Sequence, residues 1–289
     1  MNRKKVLEKY NIKPISIKKK NKVDIINTKD SRFILKKGNN INIYDYLRQR
    51  NFNNFIYPLT DNTDRYEITE YIDDIKIPDE QKIEDLIYLT SILHVKTTFY
   101  KNIDTDYIKG IYEEQLKKQE YLYNYYFTMQ DVIEKEVYMS PSHYLLIRNI
   151  SNFYKCIRKS NEYIDKWYEL VKDTKKMRYA VTHGNLDKSH LIENQDIYLT
   201  SWDKAKVNSP VFDLVNLYRN NQDKIDLISL LDIYQTKYEL KEEEKYLLFS
   251  LILLPDKIET QETEFLNVRE TRKVVEYINK IKSSFFNED

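Results

Sequence analysis

Glycine is almost missing from this chain: there are 3 in 289 residues, at Gly38, Gly110 and Gly184. A loop that cradles phosphates needs backbone that approaches its ligand closely and accepts positive φ, which clustered glycines supply. Three scattered ones exclude a glycine-rich nucleotide loop. The single cysteine, Cys156, excludes a disulfide framework, and no Cys/His spacing fits a structural zinc site. No run of about eighteen apolar residues occurs. The opening Met-Asn-Arg-Lys-Lys-Val-Leu-Glu-Lys-Tyr has no apolar signal core, so the expectation is a cytoplasmic protein with no membrane partner. Neither sign of charge is in excess: 47 Lys and Arg against 46 Asp and Glu leave +1. That excludes the global basic field of a nucleic-acid binder.

What is present suffices for a substantial interior, with 41% hydrophobic and 32% charged residues, in one two-lobed domain or two small ones. Tyrosine is abundant, at 26 residues. Codon bias in an AT-rich genome accounts for it plainly; a tyrosine-rich surface that packs on other proteins is the functional alternative. Residues 1–13 read as a short helix carrying Val6, Leu7 and Tyr10. Ile15-Ser16-Ile17, Val23-Asp24-Ile25-Ile26 and Phe33-Ile34-Leu35-Lys36 read as an antiparallel meander, its first turn being the basic run 18–22. A short helix at 43–48 follows, and 55–59 with 66–72 reads as a hairpin. After Pro78 the period turns helical, with Ile83, Leu86, Ile87, Leu89, Ile92 and Leu93 leading to His94. Long helices at 105–136 and 141–170 come next, and helices at 226–238, 242–254 and 268–285 close the chain.

Chemistry-bearing residues gather in one stretch, 181–214. A β-type run ends at His183-Gly184, a polar loop spans 185–190, and Leu191-Ile192 leads through a turn into Ile197-Tyr198-Leu199-Thr200-Ser201-Trp202, which makes a hairpin. Ser209-Pro210 then opens a helix. About thirty residues thus hold His183, Asn185, Asp187, His190, Ser201, Asp203 and Asp213.

At these residues the chain resembles the aminoglycoside phosphotransferase and choline kinase superfamily. Its loop reads His-Gly-Asp-Leu-His-x-x-Asn, its hairpin ends in Ile-Asp-Trp or Ile-Asp-Phe, and Pro-x-x-Asp-Leu follows. His183-Gly184-Asn185-Leu186-Asp187-Lys188-Ser189-His190, Thr200-Ser201-Trp202 and Ser209-Pro210-Val211-Phe212-Asp213-Leu214 overlay these motifs in turn. The resemblance implies an α+β, two-lobed protein-kinase-like fold. Its small antiparallel β N-lobe would span residues 1–75, and its large, mainly helical C-lobe 76–289. It also implies roles. His183 and Asp213 hold the loop's structure, Lys36 contacts nucleotide phosphates with Asp45 as its acidic partner, and Glu70, Tyr71 and Ile72 line the nucleotide cleft through their backbone. For Lys36, a solubilising charge on an edge strand is the alternative. His94 is a structural histidine.

The catalytic letters differ. The superfamily's base position is Asn185 here, and its two metal positions are His190 and Ser201. A neutral amide cannot take a hydroxyl proton near neutral pH. Neither imidazole nor hydroxyl replaces a carboxylate well for Mg²⁺. The expectation is a pseudokinase that needs no cofactor and serves as a structural or regulatory component through protein partners. The paired long helices and the loop form His-Gly-x-Leu-x-x-x-His look most like the CotS-type spore-coat kinase-like proteins of endospore-forming Firmicutes. That narrower resemblance implies a place in the spore coat, assembled from the mother-cell cytoplasm. The rival is an active small-molecule phosphotransferase using ATP or GTP with a divalent metal. In it Asp187, His190 and Asp203 form a rewired metal site favouring Mn²⁺ or Zn²⁺. Against that stands the plainer assignment, with Asp187 on the loop surface and Asp203 paired to Lys204 or Lys206.

Overall fold

A computed structural model describes residues 3–21, 23–38 and 40–286. In chain order the first half holds α1 (Arg3–Lys9), β1 (Ser16–Lys20), β2 (Val23–Asn27), β3 (Arg32–Lys37), α2 (Ile41–Gln49), β4 (Tyr66–Glu70), α3 (Asp79–Thr97), β5 (Phe99–Asn102) and α4 (Thr105–Ile133). The second half holds α5 (Pro141–Val171), β6 (Lys176–Thr182), β7 (Leu191–Glu193), β8 (Ile197–Leu199), β9 (Lys206–Asn208), α6 (Val211–Asn221), α7 (Leu227–Gln235), α8 (Glu242–Leu253) and α9 (Glu264–Phe285). The chain divides into two units, Met1–Thr98 with Ala180–Asp213, and Phe99–Tyr179 with Leu214–Asp289.

In the first unit β1 to β4 form one antiparallel sheet in sequence order. Ile26, Leu35 and Ile68 point to one face and bury against Val6, Leu7 and Ile12, each worth about 1.5–3 kcal/mol relative to exposure. β1 runs further than expected, into Lys18-Lys19-Lys20, and the turn narrows around Asn21 at φ 53°. All five of its residues are exposed, and the lysines on this edge discourage pairing with another chain.

The hairpin expected from 55–59 with 66–72 does not form. Only Tyr66–Glu70 is a strand, and a single backbone bond, Leu59 N to Ile68 O at 2.8 Å, ties the earlier segment to it. The reason lies in side chains. Phe55 packs on Tyr44, Phe52 and Trp202, while Tyr57 donates to Asp45 at 2.6 Å under the Arg48 guanidinium. Pro58 also withholds a ladder donor.

The same unit holds α3, the β7–β8 hairpin, and β9 paired with Ala180–Thr182 of β6. The strand expected through Trp202 stops at Leu199, because Trp202 turns into a short 3₁₀ segment whose indole donates to Leu199 O at 2.8 Å.

The second unit is mainly helical. Asp104 caps α4 by accepting from Asp106 N, and Ser140 caps α5 ahead of Pro141. α5 packs against α4, α8 and α9, burying Phe153, Trp167 and Ile157. β5, with no alternation to mark it, pairs with Lys176–Tyr179. Helix α9 begins at Glu264 rather than near 268, with Thr263 as its cap and the Glu264 carboxylate accepting from Ser142 N at 2.8 Å. Among the described residues no helix is long and apolar enough to cross a membrane.

Candidate functional site

The site stretch is built around one buried carboxylate. Asp213, fully buried in the first turn of α6, accepts from His183 N (2.7 Å) with Oδ2 and from Gly184 N (2.8 Å) with Oδ1. The ring of His94, near the end of α3 and also fully buried, places Nε2 3.2 Å from Oδ2. The strand β6, the loop after it and two helices are thus locked at one point.

His183 then reaches the other way. Its Nε2–H donates to Thr200 O (2.8 Å), and its ring sits edge-on to Trp202 at 4.8 Å. Burial pushes its pKa down to about 4, despite the Asp213 carboxylate and the Thr200 carbonyl, so the ring is neutral near pH 7. Gly184 sits at φ 72°, and a Cβ there would lie 2.6 Å from the backbone oxygen of Lys204. No other residue fits.

Beyond Gly184 the loop is closed by its own hydrogen bonds. His190 Nδ1 lies 2.8 Å from Asn185 O and 3.4 Å from Asn185 Nδ2. A carbonyl can only accept, so Nδ1 carries a proton. His190 O in turn accepts from Thr200 N and Thr200 Oγ1, both at 2.9 Å. Asp187 accepts from Ser189 N at 2.8 Å. Burial would raise its pKa, but the Ser189 bonds, His190 and Lys188 outweigh burial and hold it below the usual carboxylate range. Ser201 takes a left-handed conformation (φ 67°, ψ 49°) with no side-chain cap bond.

Lys36 and Asp203 form an ion pair. The lysine side chain is largely buried on β3, directly across from Glu67 on β4. Glu67 is buried and accepts from Tyr44 OH at 2.9 Å; burial raises its pKa, with Lys36 and the Tyr44 bond acting against the rise. Asp203 adds to that rise. The Lys36 cation therefore sits between two carboxylates.

No family model matches the sequence, and no curated protein matches it. Solved structures do match in three dimensions. An aminoglycoside phosphotransferase from Alicyclobacillus acidocaldarius subsp. acidocaldarius DSM 446 superposes with a TM-score of 0.70 at 10% identity, over 98% of this chain and 96% of that one. The spectinomycin phosphotransferase APH(9)-Ia, in complex with ADP and spectinomycin, gives 0.55 at 10% identity over 98% and 99%. Choline kinase LicA from Streptococcus pneumoniae gives 0.50 at 15% over 97% and 98%. The fold is protein-kinase-like.

Several expected contacts are rearranged within that kinase-like fold. Asp45 does not pair with Lys36: it accepts from Tyr57, and Asp203 takes its place. Asp203 pairs with neither Lys204 nor Lys206. Among the described residues, no three His, Cys, Asp or Glu side chains gather closely enough to hold a metal ion, the gathering that the rival reading asks of Asp187, His190 and Asp203. Of the residues expected to line a nucleotide cleft, Glu70 ends β4 opposite Phe33 and Ile72 is half-buried. Tyr71 N already donates to Arg32 O at 2.9 Å, under the Arg32 guanidinium. Glu67 and Tyr44 went unnoticed in the sequence. The signal was there in principle, since a Glu one strand away in register faces Lys36.

At the positions that the resemblance assigns to base and metal the chain carries Asn185, His190 and Ser201, and the nearby carboxylates are engaged elsewhere, Asp187 by Ser189 N and Asp203 by Lys36.

Proposed function

We propose that this chain is a kinase-fold protein without phosphoryl-transfer activity, acting as a structural or regulatory component through protein partners. The proposal rests on Asn185, the residue that the resemblance puts at the base position, whose side chain is an amide and whose backbone carbonyl accepts from His190 Nδ1–H. Transfer to a hydroxyl needs a group that orients it and takes its proton, and metal to neutralise the transferring charge. An amide does the first only in part and the second not at all. On this proposal, the assembly that the CotS-type resemblance names is the spore coat.

The test is a thermal-shift titration with ATP and with GTP, each without metal, with Mg²⁺ and with Mn²⁺, alongside an assay for nucleotide turnover. A ligand bound only by the folded state raises the melting temperature. The expected result is no metal-dependent shift and no turnover. A Mg²⁺- or Mn²⁺-dependent shift accompanied by turnover overturns the reading and returns the chain to the active phosphotransferases.

A further inference from the structure

The long helices α4 and α5 leave an open groove of about 750 Å³ between their outer faces. Its floor is apolar and aromatic. Tyr123 and Tyr154 meet across it with ring centroids 5.2 Å apart, and Tyr123 stacks on Phe127 at 6.4 Å. Tyr123 is 46% exposed and Phe127 57%. Its rims carry opposite charge. Glu120 lines the α4 side, while Lys155 and Arg158 line the α5 side. All three are exposed, and among the described residues none has an ion-pair partner.

We propose that this groove is the interface of a two-fold dimer of the chain. An isologous contact presents the same patch from both copies. With the axis parallel to the groove, α4 of one copy lies over α5 of the other. Each Glu120 then faces the second copy's Lys155 and Arg158, twice in one interface, and the aromatic floors close on each other. The sign arrangement favours a second copy over a small ion. A free anion would meet Glu120 and a free cation would meet Lys155 and Arg158, whereas the two-fold satisfies all three. Helices of 29 and 31 residues run about 45 Å, which is long enough to extend the contact beyond the groove toward the roughly 800 Å² per partner of a standard interface. The inference is independent of nucleotide binding.

Charge reversal tests it by sedimentation velocity. The unaltered chain is expected to dimerise. Glu120→Arg makes both rims basic, and the pair Lys155→Glu with Arg158→Glu makes both acidic. Each variant alone is expected to raise the dimer Kd by about tenfold or more while melting like the parent. Mixed in equal amounts they should form a heterodimer, because every rim then meets its opposite, and that heterodimer should weaken with added salt. Recovery on mixing cannot come from misfolded protein. A parent chain that stays monomeric at its highest soluble concentration overturns the proposal. So does a parent dimer indifferent to both variants, or a pair of variants that fail to recover on mixing.

Discussion

Asp213 satisfies two backbone N–H groups with two oxygens while buried against His94, and a buried carboxylate persists only when so supplied. The entry to the loop is therefore rigid, and its neighbours are exacting. Gly184→Ala should destabilise the protein by about 2 kcal/mol or more, because the new Cβ meets the backbone of Lys204 in a left-handed conformation; urea unfolding measures it, and a variant as stable as the parent contradicts this packing. His183 gives a pH signature. Its folded pKa, about 4, lies below the ordinary histidine value of 6.5, so between those values the unfolded chain binds the extra proton. Stability should then fall as pH drops from about 6.5 to about 4, by up to about 3 kcal/mol, and level off below. Unfolding midpoints across that window should flatten in His183→Asn; an equal slope in the variant assigns the dependence to other groups. The spacing of His183, Gly184 and Asp213 was legible in the sequence. The Lys36–Asp203 pair was not, since only the fold brings a residue of β3 beside one that follows β8.

Helices α4, α5 and α8 share a buried polar junction inside the second unit. Gln119 Nε2 donates to Ser160 Oγ at 2.7 Å, Ser160 Oγ donates to Ser250 O at 2.6 Å, and Gln115 Nε2 reaches Ser250 Oγ at 3.2 Å. These groups fix which turns of the three helices stand level, something apolar contacts alone do loosely. Ser160→Ala removes the acceptor of the Gln119 amide without adding bulk, and should cost about 1–3 kcal/mol in chemical denaturation. A near-zero change would mean that the amide finds another partner. The helices themselves were legible, because long apolar stripes, the second opened by Pro141, mark them. β5 and β9 were not legible. Strands of four and three residues hold too few side chains to show alternation, and each exists only because β6 lies alongside it. The segment 55–59 failed the opposite way: its aromatic residues look like a strand but serve a ring cluster with Trp202.

At 10% identity, a TM-score of 0.70 to a phosphotransferase means that two chains with few side chains in common share one frame. Chemistry and frame are then separable, and the loss proposed above is local to a few residues. Restoring them is a fair demand on the whole fold. Asn185→Asp changes an amide to an isosteric carboxylate. Ser201→Asp places a carboxylate at a left-handed position, a conformation that Asp tolerates better than most residues. Asp203→Asn keeps the shape and releases Lys36 from its ion pair. The triple variant should melt near the parent, and should gain a Mg²⁺-dependent thermal shift with ADP or ATP that the parent lacks. The shift should approach about 2.7 kcal/mol of added stability at a hundredfold excess over Kd. The variant that keeps Asp203 should bind more weakly, because its carboxylate competes with phosphate for one cation. Should the triple variant stay silent with Mg²⁺ and either nucleotide while remaining folded, the missing carboxylates are not the cause, and the obstacle lies in how Glu67, Tyr44 and the Tyr71 backbone are already engaged.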